Sequence, residues 1–448
     1  MKKTIFCAIA GLILIISIFP IVTSIDNFKN NDIFITNSLN FCNGGWLEEQ
    51  NGIKILHLNG SYYDMGYQHG FLLKDEIIAN FNAFCNWIVE KGFTYVQLVQ
   101  RWNIMKPLLP LCYIEEMTGM ADGSGLSLEN ISVYNVGFYL VVNCGSFAIW
   151  GNSTTDGILY HARSHDFSIK IKDPVSGKYL VENQLVIIRN PHDKYSSVSL
   201  TAAGMVRTSD GFNEKKIAAG MLSSWTNDET YNGICIGFRI RMVLDYADSI
   251  NEAIEILITN KTLGYNVIVS DGKIPIAYAV ETTANNSYVG TWDNPSESIR
   301  PFWSIKHAVR RSNIFVDPTT AATQRKKYDP SFFPLLNLLL KRNQMSGTSV
   351  TAALTWMHYV AISKGIESEW GNFNLNKTMN VLRNIYLGKT DIRFLILQIL
   401  GFYSTPYQWV MCPETGDFVL SFATRDKSAF KNPVNYFNFY ELLDSAPL

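Results

Sequence analysis

Asn143-Cys144-Gly145-Ser146-Phe147-Ala148-Ile149-Trp150, then Thr154-Thr155-Asp156-Gly157, then Ile158-Leu159-Tyr160-His161-Ala162-Arg163-Ser164-His165-Asp166: these stretches decide how the chain is read. Two apolar runs joined through an Asp-Gly turn signal predict a β-hairpin. On a strand alternate residues share a face, so Arg163 and His165 are expected on one side and Ser164 and Asp166 on the other. Cys144 stands where the pattern changes from helical to extended. Its plainer reading is a small buried hydrophobe, the usual fate of a free Cys. Its chemical reading is a nucleophile whose thiolate is favoured by Arg163, with Asp166 holding an ammonium or orienting a base. Such a thiol needs a proton acceptor. One of the seven histidines, His57, His69, His161, His165, His192, His307 or His358, can serve. The α-amine of a cysteine that is itself N-terminal, with a pKa near 8, can serve equally. The residues leave both open.

Upstream of Cys144 the apolar spacing is mainly helical, over 63–89, 96–109 and 114–120, with a further start at 126–129 after the capping Ser127. A short strand is predicted over 53–58, and the polar stretch before Gly52 reads as a loose lead-in. Downstream, strands are predicted over 184–189, 197–202, 216–222, 265–270, 275–281, 287–291, 407–412 and 417–423. Helices are predicted over 237–246, 249–259 and 349–359. Strands, a helix pair, then strands, without strict alternation, predict an α+β fold of stacked sheets with helices outside.

The chain has 448 residues, with 38 basic and 39 acidic side chains. Its 47% apolar content excludes a disordered chain. A net charge of −1 gives no footprint for nucleic acid. Lys2 and Lys3 precede the apolar run Thr4–Val22, and Val22-Thr23-Ser24 follows with small residues. Residues 1–24 therefore read as a signal peptide or a membrane anchor, which places the rest in a secreted or extracytoplasmic setting, lumenal or periplasmic. Seven cysteines (Cys7, Cys42, Cys85, Cys112, Cys144, Cys235 and Cys412) show no CxxC spacing, so no metal site is expected, and disulfide pairing stays open. Sequons begin at Asn59, Asn130, Asn152, Asn260, Asn285 and Asn376, acceptors for glycans if the host glycosylates what it exports.

Five segments in order resemble the acyl-CoA:6-aminopenicillanic-acid acyltransferase-like family of N-terminal-nucleophile (Ntn) hydrolases, relatives of choloylglycine hydrolase and acid ceramidase. They are Gly60-Ser61-Tyr62-Tyr63-Asp64-Met65-Gly66-Tyr67-Gln68-His69-Gly70; Gly119-Met120-Ala121-Asp122-Gly123 followed by Asn135; Asn143-Cys144-Gly145-Ser146-Phe147-Ala148 with Asp156-Gly157 and Arg163-x-x-Asp166-Phe167; Gly211-Phe212-Asn213-Glu214-Lys215; and Arg311-Ser312-Asn313. The resemblance implies a four-layer αββα sandwich with a mainly helical N-terminal segment. It implies cleavage between Asn143 and Cys144, with residues 25–143 as the smaller chain and 144–448 as the catalytic one. Cys144 is then nucleophile and, through its α-amine, base. Asp166 holds the α-ammonium, Arg163 steadies the thiolate, Asn313 donates its amide to the oxyanion, and Arg325 matches a later arginine of bile-salt-hydrolase relatives. The reaction implied is hydrolysis of a linear C–N amide of a small acyl-amide substrate, or transfer of its acyl group, without cofactor. The sequence departs from the family at Ser164, where an Asn is usual, and at Ser223, near where bile-salt hydrolases carry a second amide. An uncut Cys–His hydrolase and a non-catalytic extracellular binding protein on the same fold are the alternatives.

Other patterns carry less. His161-x-x-x-His165 has a metal-like look, but residues four apart on a strand lie about 13 Å apart. Gly123-Ser124-Gly125 reads as a turn, and His69 as a packing or capping residue.

Overall fold

The computed structural model describes residues 40–136, 143–325, 328–331, 350–399 and 404–447. Three strands open it, β1 (Asn40–Cys42), β2 (Gly45–Gln50) and β3 (Ile53–Gly60). Five helices follow, α1 (Tyr62–Leu72), α2 (Lys74–Glu90), α3 (Tyr95–Met105), α4 (Leu111–Ser124) and α5 (Leu128–Val136). Then come β4 (Asn143–Gly151), β5 (Gly157–Asp166), β6 (Gln184–Pro191), β7 (Ser197–Ala202), β8 (Asp210–Asn213) and β9 (Ile217–Ser223). The helix pair α6 (Ile236–Tyr246) and α7 (Ile250–Ile258) precedes β10 (Tyr265–Asp271), β11 (Ile276–Thr282), β12 (Ser287–Gly290) and β13 (Ala308–Arg311). The remainder is α8 (Pro318–Ala322), α9 (Val350–Ser368), α10 (Leu375–Tyr386), α11 (Ile392–Ile399), β14 (Tyr407–Cys412), β15 (Asp417–Phe422), β16 (Asn435–Asn438) and α12 (Phe439–Asp444).

The strands form two sheets, β1-β2-β3-β6-β7-β8-β9-β10-β11-β12 and β13-β4-β5-β14-β15-β16. Alternation of apolar residues places one face of each sheet against the other. Ile55, Val186, Val198, Leu200 and Phe212 of the first pack on Trp409, Met411, Phe418 and Leu420 of the second. The outer face of the first sheet carries Leu56, Leu58, Leu185 and Ile187 against α1–α5, and Ile217, Ala219, Val267 and Val269 against α6 and α7. The outer face of the second carries Phe147, Ile149, Ala162 and Val410 against α9 and α10. The order helix, sheet, sheet, helix is the four-layer αββα sandwich of an α+β protein.

Two expectations change. The polar stretch before Gly52 is no loose lead-in: β1 and β2 pair through Asn43-Gly44, and β2 and β3 through Asn51-Gly52. All four turn residues have positive φ, from 47° to 91°, the hairpin geometry that Asn-Gly favours. The first 140 residues are thus helical only in part, and β3 is joined in parallel to β6 across the segment boundary. The single helical stretch expected over 63–89 is two helices, breaking at Leu73. The short strands β8, β13 and β16 and the helices α10–α12 were not anticipated.

Four glycines of the first two motifs, Gly66, Gly70, Gly119 and Gly123, share one purpose. Helices α1 and α4 cross with their backbones in contact: a Cβ on Gly66 would run into Glu116 O, and on Gly70 into Met120 O. The reverse holds for Gly119 against Tyr63 O and Gly123 against Tyr67 O. His69, at the end of this helix, accepts a hydrogen bond at Nε2 from Gly204 N (3.0 Å). We expect Gly66→Ala or Gly119→Ala to force the helices apart and cost about 1–3 kcal/mol, the range for overpacking. A fall in the urea midpoint with unchanged slope is the measurement that checks it.

Candidate active site

The site is built on the β4–β5 hairpin, in which Cys144 lies opposite His165, Asn143 opposite Asp166 and Ser146 opposite Arg163. Strand alternation puts the Cys144 side chain between the sheets, against Leu222. Arg163 comes from the same inner face, and its Nη2 stands 3.2 Å from Cys144 Sγ. Behind it, Arg163 Nε is 3.6 Å from Asp210 Oδ2, which also accepts a hydrogen bond from Tyr407 Oη at 2.7 Å. Burial disfavours the guanidinium, but Cys144 and Asp210 outweigh it and hold the Arg163 pKa above its ordinary value. Burial also pushes the Cys144 thiol up; Arg163 opposes this and Asp166 adds to it, with a net rise. The thiol is therefore mostly protonated at neutral pH, and its thiolate has a fixed cation at contact distance.

Asn313 joins Cys144 from the loop after β13. Its Oδ1 accepts a hydrogen bond from Cys144 N at 2.7 Å, and its Nδ2 donates to Ser223 O at 2.6 Å. The amide oxygen thus holds the cysteine nitrogen, while the donor end of the same amide points to the β9 backbone. Buried side chains fix this loop. Asn266 Nδ2 donates to Ser312 O and Ile314 O, both at 2.8 Å, bracketing Asn313. Gln324 donates to Asn313 O and accepts from Phe315 N. Glu281 accepts from Arg311 Nε (3.0 Å) and Val316 N (2.8 Å).

Asp166 lies at the end of β5 with its side chain on the other face, as alternation predicts. It accepts from Tyr386 Oη (2.7 Å), Thr405 Oγ1 (2.8 Å) and Ser164 Oγ (3.0 Å). Burial raises its pKa to about 7 against the pull of these three donors. Arg325 is not brought to the thiol: it is half-exposed and pairs with Glu229 (2.7 Å) and Thr226 O (3.0 Å). The histidines divide sharply. His161 bonds the Ser146 and Ser270 hydroxyls, and His57 stacks on Trp46. His307 Nδ1 accepts from Asn152 N, His358 sits beneath Gly145, and His192 is exposed. His165 lines the pocket at Cys144, stacked 4.9 Å from Tyr407. Burial, then Arg163 and Arg207, push the His165 pKa well below its ordinary value.

Cys144 opens on a pocket between the sheets' inner residues and the β5–β6 connection. Phe167, Leu180, Leu200, Met205, Met221 and Tyr407 make much of its wall, with Gln184, Thr201 and Arg207 among them. This apolar character suits a ligand with a hydrocarbon portion. The cysteines Cys42, Cys85, Cys112, Cys144, Cys235 and Cys412 are all free thiols. Among the described residues no group of three His, Cys, Asp or Glu is arranged around a metal position, and no helix is long and apolar enough to cross a membrane. The apolar run of residues 4–22 lies outside the described residues.

Residues 154–354 match the family described as Acyl-coenzyme A:6-aminopenicillanic acid acyl-transferase. The match covers less than half of the chain and begins after Cys144. Among individual proteins, the chain is 24% identical over 256 residues to protein dcd1B of Dictyostelium discoideum, covering 51% of this chain and 49% of that one. It is 25% identical over 301 residues to dcd1A of the same organism, covering 60% of this chain and 66% of that one. An uncharacterized protein of Archaeoglobus fulgidus matches at 24% identity, over 50% of this chain and 42% of its own length. The chain thus spans between two fifths and two thirds of the relatives it matches. Solved structures similar to it include a mutant form of conjugated bile acid hydrolase from Clostridium perfringens, with 16% identity, 66% of this chain and 96% of that one covered, and a TM-score of 0.36. Penicillin V acylase from Agrobacterium tumefaciens has 15% identity, coverage of 66% and 87%, and a TM-score of 0.38.

Two outcomes test this geometry. Asp166 has an ordinary pKa of 3.8 and is raised to about 7 in the folded chain. Below both values the carboxyl is neutral, folded or unfolded, and its burial carries no charge penalty. As the pH climbs from 4 to 7 the unfolded chain releases its proton first, so stability falls across that window. Asp166→Asn has no proton to release, and its unfolding free energy should fall less than the parent's between pH 4 and 7, read by urea melts at each pH. Separately, Asn266→Leu should loosen the Asn313 loop and slow any reaction that needs it by on the order of tenfold or more. Circular dichroism establishes whether the sheets persist.

Proposed function

We propose that the chain is a self-processing amidohydrolase or acyltransferase whose nucleophile is Cys144. The observation that carries this reading is the contact between Arg163 Nη2 and Cys144 Sγ at 3.2 Å, at the base of an apolar pocket, with the Cys144 nitrogen held by Asn313. A merely structural cysteine has no need of a buried guanidinium.

Processing begins when Cys144 Sγ attacks the Asn143 carbonyl carbon. The C–S bond forms, the peptide C–N bond breaks, and the thiol proton passes to the departing nitrogen. Water then attacks the thioester, leaving Asn143 as a carboxyl terminus and Cys144 with a free α-amine. In turnover that amine takes the thiol proton and the thiolate, steadied by Arg163, attacks the substrate amide. The leaving amine carries the proton away, and the acyl group on Cys144 passes to water or to a second amine. Asp166, felt electrostatically at Cys144, would stabilise the α-amine in its protonated form. Residues 1–24 would direct the protein out of the cytosol, cleaved as a signal or kept as an anchor, and exposed sequons such as Asn152, Asn260 and Asn376 would then accept glycans.

The test is reducing gel electrophoresis with N-terminal sequencing. The parent should give two chains of roughly 34 and 13 kDa by length, the larger beginning at Cys144, and Cys144→Ala should stay whole. A folded parent that stays whole removes the α-amine base; His165, the histidine at the pocket, would then be the residue to replace.

A further inference from the structure

Thiolate attack on a carbonyl moves an electron pair onto oxygen, and a site meets that charge with N–H donors. The donors nearest the thiol are engaged elsewhere. Asn313 donates from Nδ2 to Ser223 O, and Arg163 donates from Nη1 to Ser164 O while its Nη2 faces the sulfur. His165 stands apart from these. It lies directly opposite Cys144 in the β4–β5 ladder, so the two side chains leave the sheet side by side, with Cβ atoms about 5 Å apart as in any such pair. Its neighbours Ser164 and Asp166 are buried, whereas His165 keeps part of its surface open and lines the pocket. Tyr407 stacks on one face of the ring, 4.9 Å away with an interplanar angle of 5°, and fixes its plane.

The contacts also decide which ring nitrogen carries the hydrogen. Nδ1 stands 3.5 Å from Arg163 Nη2. A guanidinium has donors only, so a hydrogen on Nδ1 would face another hydrogen and a positive charge. The lone pair therefore belongs on Nδ1 and the hydrogen on Nε2. Among the described residues nothing is hydrogen-bonded to Nε2. The ionisable groups about the ring are Arg163 on its own strand, Cys144 on β4, Tyr407 on β14 and Arg207 on the loop after β7. Burial, then the two arginines, also keep a second proton off the ring. A neutral imidazole held between two guanidinium groups is a poor proton acceptor and a competent N–H donor.

We infer that His165 is a catalytic residue of the acyl transfer, its Nε2–H donating to the carbonyl oxygen while Cys144 attacks. This rests on the reading of Cys144 as the nucleophile and adds the group that meets the developing charge. The C–S bond forms, the carbonyl π pair moves to oxygen, and Nε2–H holds that oxygen without giving up its proton. The pair returns as the carbonyl reforms, and the leaving group departs with its bonding electrons.

Two thiol reagents separate carbonyl chemistry from thiol reactivity in the purified protein. The ester p-nitrophenyl octanoate acylates a thiol through an oxyanion, and nitrophenolate leaves. N-hexyl iodoacetamide alkylates it by displacing iodide from a saturated carbon, with no oxyanion. Labelling of Cys144 is followed by peptide mass mapping. His165→Phe keeps a ring for Tyr407 and loses the donor; acylation should fall at least about a hundredfold while alkylation stays within about threefold. His165→Gln loses the ring and keeps an amide N–H near the Nε2 position; acylation should stay within about tenfold of the parent. A ring needed only for packing gives the reverse order, with Phe tolerated and Gln impaired, and overturns the inference. So do equal losses with both reagents, or a folded parent whose Cys144 is not acylated. The parent alone also decides, even where neither variant folds. In ¹⁵N NMR of the histidine-labelled protein, the ring that responds most strongly to alkylation of Cys144 should show the Nε2–H tautomer at about pH 5 and about pH 8 alike. An Nδ1–H tautomer or an imidazolium there overturns the inference. Acylation lost in His165→Phe, in a chain that neither cuts itself nor turns over amides, keeps the donor and removes the amidase reading; amide turnover unimpaired in His165→Phe does the opposite.

Discussion

The Arg163 guanidinium, fully buried between two β-sheets, is the constraint on which the rest depends. Removing such a cation from water is expensive, and it is tolerated only where anions and dipoles replace the lost hydration. Here Asp210 and the Cys144 sulfur do so at Nε and Nη2, with Asp210 in turn held by Tyr407. These groups come from β5, β8, β4 and β14, so one ion links both sheets. The packing of the two sheets and the surroundings of the Cys144 thiol are tied through that ion.

A second layer of polar order surrounds this pair. Glu281, Asn266 and Gln324 take up backbone groups of the loop carrying Asn313, while Tyr386, Thr405 and Ser164 surround Asp166. In the low dielectric between layers each of these bonds is hard to replace, because a buried group left without its partner costs more than the bond contributes. Rigidity is the result. The groups that the proposed reaction would use sit on paired strands or on a loop bonded at successive residues, which is what a near-attack geometry would require.

Much of this was legible in the sequence, and the reasons differ by element. The hairpin around Asp156-Gly157 was readable because β-alternation and turn chemistry agree there, and the same alternation separated Arg163 from Asp166 correctly. Cys144, Arg163, Asp166 and Asn313 were named from local motifs. The structure gathers Cys144, Arg163 and Asn313 directly, while Arg325, the loosest mapping, pairs with Glu229 instead. Asp210, Asn266 and Tyr407 were not found, since their importance comes from pairing across sheets and no spacing along the chain announces that. The opening hairpins were missed although Asn43-Gly44 and Asn51-Gly52 announce them; the polar, half-exposed strand β2 lacks the apolar run that usually marks a strand.

The parallel ladder between β3 and β6 spans the bond that processing would break. Residues 56 and 58 share one core with 185 and 187, so the smaller piece would stay bound after cleavage as an integral part of the sheet. Before cleavage, folding is unimolecular: the strands that must meet are tethered to each other. Afterwards the same assembly would require two separate chains to find one another at their working concentration, in competition with their own exposed strand edges. A single hydrolysed peptide bond would thereby change the molecularity of folding, and a molecule that assembled reversibly as one chain would hold its shape as two through kinetic persistence.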